Sequence, residues 1–358
     1  MTDVINLASD NVAGAAPQIL AAIARAGDGR ARSYGHDDVT RRIEARLSEV
    51  FERRVAAFPV ATGTAANALA LATFTPPYGA VLCHREAHIA VDECGAPEFY
   101  THGAKLILAE GDHGKLTPAT LEAAFPEGWR GDVHRSQPAM LSLSQATESG
   151  TVYTPAEVAA LTDAARHHGL AVHMDGSRFA NALAGQMGAG QGCSPAELTW
   201  KAGIDVLSFG GTKNGCVMAE AVVFFDPVKA ADFALRRKRA GHLLSKMRFV
   251  SAQLEAYLAD DLWLGLAANA NARARQLAEG LQALPGVALE HPVEANEVFV
   301  RLPAALAAGL QREGVIAAHW EGEVWRFVGA FDTTAETIET VLQRARSCVA
   351  PDAVAAAG

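Results

Sequence analysis

The chain has 358 residues, of which half are hydrophobic and 20% charged, the balance of an ordinary soluble globular protein with room for one large domain and a smaller one. A net charge of −9, with no basic run comparable to a nucleic-acid footprint, excludes a nucleic-acid partner. No stretch reaches the ~20 apolar residues that span a bilayer, and the start, MTDVINLASDN, lacks the basic and apolar regions of a secretion signal, so no membrane contact and a cytoplasmic location are expected.

In chain order, residues 1–16 read as an extended polar arm, Pro17 to Ala26 as a helix with proline in its first turn, and SYGHDD (33–38) as a loop before the amphipathic helix Thr40 to Phe51. Strands and helices then alternate. Val55 to Val60 predicts a strand, ATGTAAN (61–67) a turn, Ala65 to Thr73 a helix, and Val81 to Cys83, Lys105 to Leu108 and Met140 to Ser144 further strands. Pro155 to His168 predicts a helix, Ala171 to Met174 a strand ending on Asp175, and Val206, Leu207 and Phe209 a short strand closed by two glycines. This is the grammar of an α/β fold. After Asp226 a basic helical stretch, ALRRKRAGHLLSKMRF, leads into long helices through Leu281, and Pro285 with Gly286 marks a break. Beyond it, strands at Val298 to Leu302, Val315 to Trp320 and Val324 to Val328, with helices Ala304 to Arg312 and Ala335 to Val349, form an α+β unit. The chain therefore divides into an arm (1–16), a large domain (17–255), a small C-terminal domain (256–350) and a frayed tail (351–358), with the domain boundary falling somewhere in 255–285.

Three features of the large domain bear on chemistry. Thr62, Gly63 and Thr64 lie between a strand and a helix, where free amides suit a phosphate, although a plain helix cap reads the same way. Asp175 stands at the carboxyl end of a strand, where open α/β sheets bind ligands, and can hold a pyridinium nitrogen protonated or close a turn with Gly176. Lys213, in DVLSFGGTKN, sits at the mouth of a buried strand, where poor solvation favours a neutral, nucleophilic amine able to form a Schiff base; most lysines are simply exposed. Phosphate cradle, pyridinium partner and Schiff-base lysine are together the anchors of pyridoxal phosphate. GGTKN does not match the Walker phosphate loop, and no G-x-G-x-x-G follows the first strand. Five scattered cysteines (Cys83, Cys94, Cys193, Cys216, Cys348), none in a CxxC pair, read as buried or idle thiols and offer no metal site.

The segments TGTAAN (62–67), EAHIAVDECGAPEF (86–99), HMDGSRFANA (173–182) and SFGGTKNG (208–215) resemble those of low-specificity L-threonine aldolases, in the β-eliminating-lyase group of fold-type I pyridoxal phosphate enzymes. The likeness runs from LASDN to WRFVGAFD, and GGTKNG with SKMRF is similar to a bacterial branch that includes threonine and phenylserine aldolases. The resemblance implies an aspartate aminotransferase-like large domain with a mainly parallel sheet, and retro-aldol cleavage of β-hydroxy-α-amino acids to glycine and an aldehyde. It further implies that Lys213 carries the cofactor, Asp175 pairs with its ring nitrogen, His88 stacks on the ring, Gly63 and Thr64 cradle the phosphate, and Glu93 lies nearby. Ser9, Arg178 and Arg326 match a substrate-carboxylate site, where a guanidinium gives bidentate geometry. Tyr34, Lys238 and Arg248 match residues that reach the site from a neighbouring subunit, which implies a homo-oligomer built from dimers, in keeping with a tetramer. Asn296 lies near a family asparagine.

Each assignment has a plainer counterpart. His88 reads equally as a buried, hydrogen-bonded histidine, Glu93 as a helix-surface carboxylate, Arg178 as a salt-bridge partner of Asp175, Tyr34 as a loop anchor, and Arg236, Arg237, Lys238 and Arg239 as a solvated helix face. His113, in GDHGK, reads as a surface residue. Where many relatives have a histidine after the strand ending near Thr147, this chain has Glu148, which leaves the base for the β-hydroxyl open among His88, Glu148 and a water. Another reaction of the same cofactor, such as β-elimination, transamination or racemisation, and a binding module with a decayed site remain as alternatives.

Overall fold

The computed structural model describes residues 4–125, 128–188, 190 and 192–349; the tail 351–358 lies outside them. Its centre is a seven-stranded sheet. In chain order, after a short N-terminal strand β1 (Ile5–Asn6), the strands are β2 (Ala56–Val60), β3 (Gly79–His84), β4 (Lys105–Ala109), β5 (Gln137–Ser144), β6 (Ala171–Gly176), β7 (Val206–Gly210) and β8 (Glu220–Phe224), in the spatial order β2-β8-β7-β6-β5-β3-β4. Only β8 runs against its neighbours; the other pairings are parallel. β8 has no counterpart among the elements expected from sequence, because a charged residue, Glu220, stands at the head of its apolar run.

Alternation along the strands sends side chains to two cores. Leu141, Leu143, Met174, Leu207 and Phe209 pack with the helices on one face, and Val60, Val81, Met140, Val206 and Phe224 with those on the other. The helix Gly63–Phe74 is buried along its whole middle, residues 65–72, as expected of a nearly all-apolar helix laid against a sheet. It begins at Gly63, so most of ATGTAAN is helical rather than turn. Register brings the strand ends together: Ser144, Asp175 and Ser208 lie abreast across β5, β6 and β7, and Val60, Glu220 and Gly210 across β2, β8 and β7. The loops that leave β2, β5, β6 and β7 therefore open on one edge, the ligand-binding edge of such sheets.

A second sheet holds β9 (Ala288–Leu289), β10 (Glu297–Arg301), β12 (Ala318–Glu321) and β13 (Val324–Val328), in the order β12-β13-β10-β9. Between β10 and β12 runs β11 (Val315–Ile316), which leaves that sheet to pair in parallel with β1, so the single strand expected over Val315 to Trp320 is two. The arm is thereby pinned at both ends: Leu7 enters the core of the small unit and Ala16 that of the large one. The helix Leu262–Gln282 serves both, with Trp263 and Ala267 in the large core and Ala274, Leu277 and Leu281 in the small one. The basic stretch ALRRKRAGHLLSKMRF is not continuous helix. It splits into Phe233–Arg239 and the start of Arg248–Leu258, with Gly241 between them at φ +79°, a backbone that suits glycine.

Candidate active site

The lysine turn is fixed by close packing. A Cβ on Gly210 would stand 2.5 Å from the Ser177 carbonyl oxygen, and one on Gly211 would stand 2.6 Å from that of Ala219, so only glycine lets the ends of β6, β7 and β8 approach this closely. Asn214 Nδ2 ties the far side down, donating to Tyr257 Oη at 2.7 Å and to the Trp263 carbonyl at 2.8 Å. Glu220 holds the near side: its carboxylate oxygens accept from the Gly211 and Thr212 amides, both at 3.3 Å. Burial pushes that carboxyl up to about 7. Lys213 itself is half-buried, and its amine has no hydrogen-bond or ion-pair partner among the described residues. It lines a cleft of about 310 Å³ with Thr62, Gly63, Thr64, Asn67, His88 and Ser177.

Behind the cleft runs a continuous polar chain. Asp175 Oδ1 accepts from the Ser177 amide at 2.9 Å and its hydroxyl at 2.7 Å, while Oδ2 accepts from Asn67 Nδ2 at 2.8 Å. Burial pushes the Asp175 carboxyl up, but the Ser177 hydrogen bonds lead the groups that outweigh it and hold it below the ordinary carboxylate value. Asn67 Nδ2 also donates to Glu93 Oε1 at 2.9 Å, and His88 Nδ1 donates to the same oxygen at 2.9 Å. The Glu93 contact raises the His88 imidazole above its ordinary value; Glu93, fully buried, is itself pushed up by desolvation. Glu148 Oε1 accepts from the His88 amide at 3.3 Å, and its carboxyl is raised by burial.

A second group of charges joins the arm, the large unit and the small one. Arg178 is buried, and its Nε and Nη2 donate to the two oxygens of Asp10 at 2.8 and 3.1 Å. Its Nη1 lies 3.3 Å from Glu297 Oε2, and Arg326 Nη1 lies 3.7 Å from Glu297 Oε1. Arg326 Nη2 also donates to the Ala8 carbonyl at 3.3 Å, so Ser9 sits on the arm between the residue that meets Arg326 and the one that meets Arg178. Asn296 Nδ2 completes the group, donating to Asp10 at 3.1 Å and to the Gly329 carbonyl at 2.9 Å.

These residues fit pyridoxal phosphate. Gly63 and Thr64 open the helix with amides that have no partner among the described residues, since the Thr62 hydroxyl caps Ala65 further along. A partnerless amine and a buried carboxylate kept ionised complete the requirement. Among the described residues no cluster of three or more His, Cys, Asp or Glu is placed to hold a metal ion, and no helix is long and apolar enough to cross a membrane.

The family model for beta-eliminating lyases matches residues 6–305. The chain belongs to the beta-eliminating lyase family. Within it, the chain is 45% identical to the low specificity L-threonine aldolase of Pseudomonas aeruginosa over 95% of its own length and 96% of that protein's. The fold matches a threonine aldolase of Leishmania major with a TM-score of 0.90 at 26% identity, covering 96% of this chain and 99% of the other. An aspartate aminotransferase of Rhodobacter sphaeroides shares the fold alone, with a TM-score of 0.70 at 17% identity over 97% and 92% of the two chains.

Of the residues singled out in the sequence of this family member, Gly63, Thr64, His88 and Lys213 line one cleft, with Asp175 and Glu93 held just behind it by Asn67. Asp175 does close the local turn through Gly176, its Oδ1 accepting from the Ser177 amide two residues on. Arg178 pairs with Asp10 and Glu297, not with Asp175. Glu93 is buried rather than on a helix surface. Arg237 is no part of a solvated face: it is buried, donates to the Pro59 carbonyl at 3.1 Å, and desolvation lowers it to about 10. His113 is exposed, as expected of a surface residue, with its Nδ1 3.0 Å from that of His291. Cys83 and Cys216 are buried, whereas Cys94 is exposed. Tyr34, Lys238 and Arg248 do not line this chain's own cleft; the Lys238 ammonium lies 4.4 Å from the Tyr34 ring centroid, and Arg248 lies over Phe249. Sequence reasoning missed Asp10, Asn67, Glu220 and Glu297. Each had a signal, a charged or amide residue set at the edge of an otherwise apolar helix or strand or in the arm, but no local partner.

Proposed function

We propose that the chain is a pyridoxal 5′-phosphate-dependent aldolase, a carbon–carbon lyase that cleaves L-β-hydroxy-α-amino acids of the threonine, allo-threonine and phenylserine type to glycine and an aldehyde. The observation that carries this reading is a lysine amine without a partner in a cleft backed by an ionised, fully hydrogen-bonded Asp175, in a chain closely similar to threonine aldolases.

When bound, the cofactor supplies an aldehyde for an amine to attach to and a conjugated ring that accepts the electron pair released when the substrate's Cα–Cβ bond breaks. Lys213 would be the point of attachment. Gly63 and Thr64 would hold the phosphate with their free amides. Asp175, fixed by Ser177 and Asn67, would keep a proton on the ring nitrogen. His88, oriented by Glu93, would serve the cofactor's ring. Arg178 and Arg326, with Ser9 between them on the arm, receive the substrate's carboxylate, and fixing it decides which bond at Cα is aligned for cleavage. His88 and Glu148 are the groups able to take the β-hydroxyl proton and return one at Cα; burial gives Glu148 the raised proton affinity such a role needs. The large domain (17–255) thus holds the cofactor, and the small domain (256–350) contributes Arg326. Tyr34, Lys238 and Arg248, set apart from their own cleft, serve the site of a second copy in a cytoplasmic homo-oligomer.

The test is a product assay on the purified protein with added cofactor, offering L-threonine, L-allo-threonine and L-threo-phenylserine in turn. Aldehyde and glycine in equal amounts are expected, and the ranking of the three names the preferred side chain. Ammonia and a keto acid without glycine would overturn the reaction.

A further inference from the structure

Among the described residues, Glu297 is a charged group with both side-chain oxygens buried and without a hydrogen-bond partner. It is 1% exposed. Its only company is electrostatic: Arg178 at 3.3 Å from one oxygen and Arg326 at 3.7 Å from the other. It therefore stands between the two guanidiniums that the proposed function assigns to the substrate's carboxylate, and the inference rests on that assignment.

The charges around it are unbalanced. From the arm comes Asp10, from the loop after β5 Glu148, from the start of the helix Phe179–Gly188 Arg178, and from β13 Arg326. Beyond Glu148 lie Lys213 and His88, which also act on it. Immediately around the pair of arginines there are thus two cations and three carboxylates, Glu297 included. Asp10 already occupies the Nε–Nη2 edge of Arg178, so an arriving carboxylate must use the Nη1 side, which is the side facing Glu297. A further anion there, with Glu297 still ionised, would put two carboxylates in competition for the same pair of guanidiniums in a buried site. Removing the Glu297 charge relieves this, and burial already raises its proton affinity.

We propose that Glu297 is an internal stand-in for the substrate's carboxylate: it neutralises Arg178 and Arg326 in the resting protein and takes one proton from solvent as a monocarboxylate binds between them. One negative charge enters and one proton follows, so the charge of the site is unchanged. Glu297 is a positioning residue in this account, since it acts through the two arginines and touches no reacting atom.

The probe is 3-hydroxybutanoate, which carries the carboxylate and β-hydroxyl of a threonine-type substrate but no amine, and whose own carboxylate is ionised throughout the range used. Its inhibition constant against L-threonine is measured on the holoenzyme from pH 6 to 9, for the wild type, Glu297→Gln and Glu297→Asp. In the wild type the constant should rise with pH, approaching tenfold per unit where Glu297 is ionised in the free protein. Glu297→Gln should bind about tenfold or more tightly at pH 8 and lose the slope, and Glu297→Asp should keep it. A flat wild-type profile overturns the proposal, even if the glutamine variant does not fold. So does a slope shared by wild type and Glu297→Gln, or weaker binding by Glu297→Gln with its slope retained. Absence of competition by an enzyme that still cleaves threonine removes the carboxylate assignment and this inference with it; competition without proton uptake removes this inference alone.

Discussion

The two halves of the site differ in how their central carboxylates are held. The cofactor half, from Lys213 through Asp175 and Asn67 to His88, comes from loops at one edge of a single sheet; its key carboxylate, Asp175, accepts three hydrogen bonds, although Asn67 Oδ1 and Glu93 Oε2 behind it are buried without partners. The carboxylate half is assembled from the arm, the large unit and the small one, and it leaves both oxygens of its own central carboxylate, Glu297, with Arg326 Nε and Asn296 Oδ1, buried without partners. A buried carboxylate whose oxygens are hydrogen-bonded holds one geometry; one left short of partners is costly until a ligand supplies them. The contrast matches the duties proposed for the two halves. A resident cofactor needs a fixed seat, whereas a substrate that comes and goes needs a seat that gains most when occupied.

The comparison can be broken at either end. The largest effect is expected from Asp175→Ala, which removes the ionised partner of the ring nitrogen. Turnover should fall by roughly 10²–10³-fold, while cofactor absorbance after dialysis stays near the wild-type level; a fully active variant would sink the assignment. Next is Arg326→Ala. Loss of one charge-assisted contact should raise KM for L-threonine on the order of tenfold to a hundredfold with a smaller change in kcat, and a change confined to kcat would contradict its place in the carboxylate half.

A third variant sharpens the comparison by asking what the rigid half costs. Glu220 is buried with its carboxyl raised from 4.5 to about 7. Below pH 4.5 the folded and unfolded chains both hold its proton. As pH climbs toward 7, the unfolded chain ionises and the folded one does not, so stability is lost, on the order of 3 kcal/mol once above pH 7. Glu220→Gln should remove that pH-dependent loss, and thermal melts from pH 5 to 8 should show its Tm gaining on the wild type as pH rises. Parallel curves would mean that Glu220 carries no such penalty.

How much of this was legible in the chain follows from the same contrast. Lys213, Asp175, Gly63 and Thr64 announce themselves locally, because each sits where an apolar strand stops at glycines or small polar residues. Their roles are written within a few residues. The carboxylate half is not written that way. Arg178 meets Asp10 across 168 positions, and Asn296 meets Asp10 across 286, so no window of sequence contains the pair, and the arm that carries Asp10 reads as a loose polar segment. Asn67 hides for a different reason: in TGTAANALALAT it looks like a polar residue on an apolar helix, and only the meeting of Gly63–Phe74 with β6 turns it toward Asp175. Glu220 hid a whole strand, since a charge at the head of β8 masks the apolar run behind it.

The central claim is that Lys213 carries the cofactor in this cleft. The most direct test is to reduce the loaded protein with borohydride, digest it and locate the modified residue by mass spectrometry. The account predicts a single stable adduct on the peptide containing Lys213, and none in a Lys213→Ala protein. An adduct on another lysine, or turnover by a protein that forms no adduct at all, would contradict it.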